Sequence, residues 1–301
     1  MGRKLRILGL HGYGTSGAIF SSQTCNYSTS NRDLTISNHI NIASFRRFLQ
    51  QQHDQTGDGD TFEFEFANGF LDSGPAAGIE LFYNPPYYAW WPSDPSLEDM
   101  TKARERLKLH LKQNGPYDGM IMFSQGCTLG ASLLLEHYKD TPQDPPPFQF
   151  AIFICGGPSL KQLEAEFGFT IDPELWEVDA ASRQALARRA DTAAILAQGS
   201  DRWSNDVNDI TDYSTKELVQ MVRGPYQIKI PTVHIVGSKD PRNLAGHQLH
   251  AISHPDISRI YEHEGGHDIP RNEATSTTIA RLVRWVSSSI TAEKAKQING
   301  I

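Results

Sequence analysis

The sequence predicts an α/β fold built on a doubly wound, mainly parallel sheet, and three observations carry that expectation. Apolar runs bounded by turn residues recur along the chain, segments of helical period separate several of them, and one run passes directly into a helical pattern through a serine. Strand alternating with helix is the pattern of parallel strands joined by crossover helices.

The first run, Leu5 to Leu10, follows a basic start and is too short for the apolar region of a signal peptide, so it reads as the first core strand. It gives way to the glycine-rich loop His11-Gly12-Tyr13-Gly14-Thr15-Ser16-Gly17. Ile40 to Gln52 has helical period, His53 to Asp60 is a polar connector, and Phe62 to Phe66 reads as the second strand. Leu97 to Gln113 is the next helix, Gly119 to Phe123 the third strand, and Gln125 to Tyr138 the helix that follows it. The proline-rich stretch Thr141 to Pro147 is a connector. Phe150 to Cys155, Thr232 to Val236 and Ile257 to Tyr261 supply three further strands, and Ser276 to Ser289 a terminal helix. Two segments exceed the length of simple crossovers, and long insertions in such enzymes usually cover the active site. Pro158 to Gln227, with helix-like stretches Ala180 to Ala197 and Lys216 to Val222, is expected to form a cap (158–227) within a single domain spanning 1–301. Gly69 to Pro95 is expected to form a pocket wall.

Composition narrows the partners. A net charge of −7 gives no electrostatic footprint for nucleic acid, and no Lys/Arg cluster suggests an anionic membrane surface. Cys25, Cys127 and Cys155 are an odd count without metal spacing, and two of them sit in apolar runs, which fits buried thiols in a reducing cytoplasm.

The chemistry centres on Phe123-Ser124-Gln125-Gly126. A serine on a sharp strand-to-helix turn exposes its hydroxyl, with the next backbone N–H and the helix N-terminus facing any oxyanion that forms. Such a serine needs a base, and His267 in His263-Glu264-Gly265-Gly266-His267-Asp268 follows the last strand, where a loop returns to the carboxyl edge. The orienting carboxylate belongs between them in the chain, and Asp240 in Gly237-Ser238-Lys239-Asp240-Pro241 meets that order; its other reading is a cap for the following helix. Asp268, adjacent to His267, is less suited to aim at its neighbour's ring. Oxyanion donors are expected from the amides of Gln125 and Tyr13, with Gly12 as the alternative to Tyr13. The first loop matches neither G-x-G-x-x-G nor the P-loop, so no nucleotide is expected, nor any other cofactor. His263 to His267 satisfies H-E-x-x-H, but that zinc pattern works only on a helix, and two glycines inside it oppose one; no metal is expected.

On these residues the chain resembles the FSH group, the fungal family of serine hydrolases within the α/β-hydrolases. The resemblance rests on Leu10 to Gly17, Phe123 to Gly126, Gly237 to Pro241, and Gly265-Gly266-His267 with Ile269-Pro270. Gly78 to Tyr83 followed by Tyr88-Ala89-Trp90-Trp91 is similar to the thioesterase form found beside fungal polyketide pathways. The resemblance implies an α/β-hydrolase with a six-stranded sheet in the order 2-1-3-4-5-6, lacking the first two strands of the full fold and carrying a helical cap. It implies Ser124, Asp240 and His267 as the triad. The family usually has glycine where Met122 stands; a methionine is flexible enough to lie along the helix face, or it loosens the turn and shifts Ser124.

The expected function is hydrolysis of an ester or thioester of a bulky apolar acyl group, either a free small molecule or one presented by an acyl carrier protein, with Phe82, Tyr83, Tyr88, Trp90 and Trp91 binding the acyl chain. The alternatives are a cyclase or isomerase using His267 as acid/base, and a non-catalytic polyketide-binding protein.

Overall fold

The computed structural model describes residues 2–25, 44–56, 59–203 and 213–299. A six-stranded sheet organises them, formed by β1 (Lys4–Leu10), β2 (Thr61–Ala67), β5 (Gly119–Phe123), β6 (Phe150–Ile154), β9 (Thr232–Gly237) and β10 (Ser258–His263). Its order is β2-β1-β5-β6-β9-β10 with every pairing parallel, which is the 2-1-3-4-5-6 order of an α/β-hydrolase.

Burial follows position in the sheet. The central strands β6 and β9 are buried along their whole length, as parallel strands covered on both faces must be. The edge strand β2 instead alternates: Phe62, Phe64 and Phe66 turn inward, while Glu63 and Glu65 pair with Lys4 and Arg6 on β1, each at 3.1 Å. One face packs under α1 (Gly17–Thr24), α2 (Phe45–Thr56) and the terminal α10 (Glu273–Asn299), with Phe20, Phe45, Ile279 and Val283 at its centre. The other face carries α3 (Leu97–Asn114) and α4 (Gln125–Asp140).

Helix ends obey local chemistry. Ser96 and Asp99 form a reciprocal capping box at the start of α3, and Ser16 accepts from the Ile19 amide to start α1. The helix expected at Ile40 to Gln52 is observed as α2, beginning at Phe45; residues 40–43 lie outside the described residues.

The described residues of the long segment 158–227, which exclude 204–212, include α5 (Leu160–Ala165), β7 (Thr170–Ile171), α6 (Pro173–Arg189), α7 (Thr192–Gln198), α8 (Thr215–Gln220) and β8 (Val222–Arg223), with β7 and β8 pairing antiparallel. The single helical stretch expected at Ala180 to Ala197 is therefore two helices. Asp191 explains the break, because its side chain accepts from the Ala193 amide and restarts the helix. Phe167, Phe169, Leu175 and Leu218 of this segment join the core cluster that holds Leu8 and Met122. The segment 69–95 contains the short antiparallel pair β3 (Leu71–Asp72) and β4 (Tyr88–Ala89). The ninth helix, α9 (Asn243–Ala251), follows β9.

Met122 is fully buried, and its Sδ lies where a side chain on Gly130 of α4 would begin: a Cβ built there would be 2.1 Å away. The Met122 side chain is thus housed opposite a glycine five residues into α4, where any larger residue would meet its sulfur.

Candidate active site

The candidate triad and oxyanion residues follow the carboxyl ends of the parallel strands β1, β5, β9 and β10, the edge at which open α/β sheets bind ligands. Ser124 joins β5 to α4 with φ 51° and ψ −113°. A non-glycine residue held there is strained, and strain of this kind persists only where surrounding packing fixes it. Gly126 supplies that packing, because α4 crosses β1 so closely that a Cβ on it would fall 2.4 Å from the Leu10 carbonyl oxygen. The strained turn leaves Ser124 Oγ pointing at the imidazole of His267, 2.9 Å from Nε2.

His267 Nδ1 lies 2.8 Å from Asp240 Oδ2. An ionised carboxylate only accepts, so Nδ1 carries the proton and Nε2 is free to accept from the serine hydroxyl. Asp240 is 2% exposed, and its second oxygen, Oδ1, accepts from the Arg242 amide at 2.7 Å. The carboxylate's two oxygens are therefore assigned to different partners.

The turn that carries His267 is tied to the Asp240 loop through its backbone. The Ser238 amide donates to the His263 carbonyl at 2.7 Å and the Lys239 amide to the Gly265 carbonyl at 3.0 Å. His263 Nδ1 accepts from the Gly265 amide at 3.1 Å, and its Nε2 faces Cys155 Sγ at 3.9 Å. Burial lowers the His263 pKa and so favours this neutral imidazole. H-E-x-x-H here is the end of β10 and a turn, so the two imidazoles share no helix face and serve different partners.

The loop after β1 abuts the serine: a Cβ on Gly12 would lie 3.3 Å from Ser124 Cβ. His11 is buried beneath it. Its Nε2 accepts from the Gly69 amide at 2.8 Å, so the proton sits on Nδ1, which donates to the Gly12 carbonyl at 2.6 Å; Thr15 Oγ1 donates to the same oxygen at 2.9 Å. In a trans peptide the N–H points opposite the C=O, so the Tyr13 amide faces away from His11 and Thr15. The Gln125 amide is among the first four of α4, which have no acceptor within the helix. Its side chain clamps the neighbouring segment, Oε1 accepting from the Trp90 amide and Nε2 donating to the Trp91 carbonyl, both at 3.0 Å.

Trp90 and Trp91, expected to bind the acyl chain, are instead packed in the core, 2% and 5% exposed. Trp90 Nε1 donates to the His11 carbonyl at 2.8 Å and its ring packs on His11 and Phe70, which satisfies the polar atom and buries the rest. The remaining aromatics are dispersed: Phe82 is 76% exposed, Tyr83 faces Ser22 of α1 through its hydroxyl, and Tyr88 pairs its backbone with Thr15. Sequence reasoning placed His11 in a motif but missed its role. The signal was available, since a histidine next to a glycine-rich turn can hold the turn's carbonyl.

Burial lowers the His11 pKa from 6.5 to about 4, against the pull of the Gly12 carbonyl. The unfolded chain therefore binds this proton first as pH falls. Stability from this group is complete above pH 6.5, declines between 6.5 and about 4, and totals about 3 kcal/mol. Urea unfolding at pH 7, 5.5 and 4.5 is expected to show that decline, and His11→Asn to lessen its slope by up to one proton; an unchanged slope would contradict the assignment.

A strand order of this kind with a serine on the β5–α4 turn defines an α/β-hydrolase. The family profile described as Serine hydrolase (FSH1) matches residues 1–279, and the chain belongs to that family; it is a hydrolase. Among curated relatives it is similar to Hydrolase FUB4 of Gibberella moniliformis, 28% identical over 235 residues, which cover 74% of this chain and 86% of that one. It is similar to Esterase FPY3 of Fusarium mangiferae, 26% identical over 287 residues, covering 95% and 97%. Esterase alnB of Emericella nidulans is 25% identical over 302 residues, covering 93% and 95%. Among the described residues no helix is long and apolar enough to cross a membrane.

Proposed function

We propose that this hydrolase cleaves an ester or thioester of a bulky apolar acyl group through an acyl-enzyme on Ser124. The observation that carries the reading is the unbroken hydrogen-bond chain from Ser124 Oγ through the His267 ring to Asp240 Oδ2, at 2.9 and 2.8 Å. Ser124 Oγ attacks the acyl carbon as Nε2 of His267 takes its proton, and Asp240 stabilises the resulting imidazolium. The Tyr13 and Gln125 amides hold the oxyanion. When the tetrahedral species collapses, the bond to the leaving alkoxide or thiolate breaks and His267 returns the proton to it. Water then attacks the acyl-serine by the same route and releases the acid.

The segment 158–227 serves as the cap in this reading, and Tyr88 and Phe82 remain available to an acyl chain. The polyketide class is supported by the resemblance of Gly78 to Tyr83 and Tyr88 to Trp91 to pathway thioesterases. A fluorophosphonate probe, followed by peptide mass spectrometry, is expected to phosphonylate Ser124 stoichiometrically. A panel of esters and thioesters is expected to favour bulky acyl groups over acetyl. Absence of any adduct at Ser124, with turnover intact, would overturn the mechanism; a preference for acetyl would overturn the substrate class.

A further inference from the structure

Arg242 stands two residues beyond Asp240, and its backbone and side chain face different parts of the fold. Its amide donates to Asp240 Oδ1 at 2.7 Å. Its guanidinium reaches α6 in the long segment, where Nη1 lies 2.7 Å from Asp179 Oδ1, 2.7 Å from Ser182 Oγ and 3.2 Å from the Asp179 carbonyl. The side chains of the pair are 13% and 12% exposed, so the contact is screened little by solvent. Arg183 also reaches Asp179, at 2.7 Å, from a more exposed position. We propose that the Arg242–Asp179 pair is a positioning device that couples the 158–227 segment to Asp240, and through it to His267. The proposal rests on the triad reading above.

The physical argument has two parts. The amide of residue 242 fixes one oxygen of Asp240 and leaves the other for His267, so any shift of residue 242 rotates the carboxylate. The side chain of residue 242 is held by α6, which belongs to the segment proposed as the cap, while its carbonyl accepts from the Ala245 amide at 3.0 Å at the start of α9. Burial opposes the charge on both partners: it would raise the Asp179 carboxyl, but Arg242 and Arg183 outweigh it and leave the group below its ordinary range. Burial also lowers Arg242, with Asp179 opposing. Deleting either partner therefore leaves the other's charge inside the structure, and Arg242 interacts electrostatically with Asp240, the carboxylate that faces His267.

Among the described residues, the other charged and titratable groups around Asp240, His267 and Arg242 include Asp268 on the same turn, His263 at the end of β10 with Glu262 beside it, Cys155 after β6, Lys239 beside Asp240, Arg183 on α6, and Arg202, which faces Asp268 from the long segment. None of these is altered by the test. Asp179→Asn removes the negative charge and leaves Arg242 uncompensated, so the acid limb of the kcat/KM profile is expected to move down by about half a pH unit. Arg242→Met is expected to move it up by a similar amount, and the double variant to return it towards wild type. Each single variant is expected to lose about tenfold in kcat with KM little changed, counted per site titrated by fluorophosphonate so that unfolded protein does not contribute.

A purely structural pair would lower the urea midpoint but leave the limb in place. If both single variants keep the wild-type limb, if both shift in one direction, or if kcat per labelled site stays within about twofold of wild type, the proposal is overturned. Should Arg242→Met not fold, Asp179→Asn alone still decides the sign. Failure of the triad reading looks different: the wild type itself would not label at Ser124.

Discussion

Alanine at position 124 is expected to lower ester turnover by about 10⁵-fold and to abolish labelling by a fluorophosphonate, with the fold unchanged. In the proposed mechanism the hydroxyl is the atom that attacks, and alanine removes it. Asparagine at position 240 tests the same chain of bonds from its other end and should cost about 10⁴-fold. The reason lies in how the carboxylate's two oxygens are used. Oδ1 accepts from the Arg242 amide, so the asparagine carbonyl will take that place and present its NH₂ group to His267. Nδ1 must then accept, the ring proton moves to Nε2, and Nε2 no longer accepts from Ser124. Both variants are checked by kcat on enzyme of known concentration, with circular dichroism to confirm folding. More than about a tenth of wild-type turnover in Ser124→Ala would reject Ser124 as nucleophile.

How much of this was legible in the sequence depended on range. The six sheet strands were readable because parallel strands buried on both faces leave continuous apolar runs, as in Phe150 to Cys155 and Thr232 to Val236. Even the edge strand β2 showed itself through three phenylalanines. The convergence of Ser124, Asp240 and His267 was readable because each follows such a run, and the fold places strand ends together. What sequence did not carry was contact between distant segments. Trp90 and Trp91 look like pocket aromatics until the Gln125 side chain is seen holding their backbone. Met122 looks like a defect until Gly130 is seen opposite its sulfur. Arg242 had no periodicity or motif to mark it, since its partner lies 63 positions away on α6. The break between α6 and α7 was missed because alanine-rich sequence favours helix throughout, and one capping side chain decided the matter locally.

Gly126→Ala is expected to damage stability and catalysis together, by about 2 to 3 kcal/mol in urea unfolding and about 10²-fold in kcat. The added methyl would sit 2.4 Å from the Leu10 carbonyl oxygen and 2.9 Å from that of His11, both backbone atoms at the end of β1. Backbone cannot swing aside as a side chain can, so α4 must lift from the sheet or β1 must bend. Either movement separates the two halves of the site, because Ser124 is two residues before the methyl and the loop of Gly12 and Tyr13 starts where the clash falls. Gly130→Ala on the same helix is the control. Its methyl would meet Met122 Sδ at 2.1 Å, a closer contact but with a thioether that can adopt another rotamer. Alanine's helix preference over glycine, about 1 kcal/mol, offsets part of the cost there. The smaller contact distance should therefore give the milder phenotype. Equal loss of activity in the two variants, measured per folded molecule, would show that lifting α4 is not what disables the site.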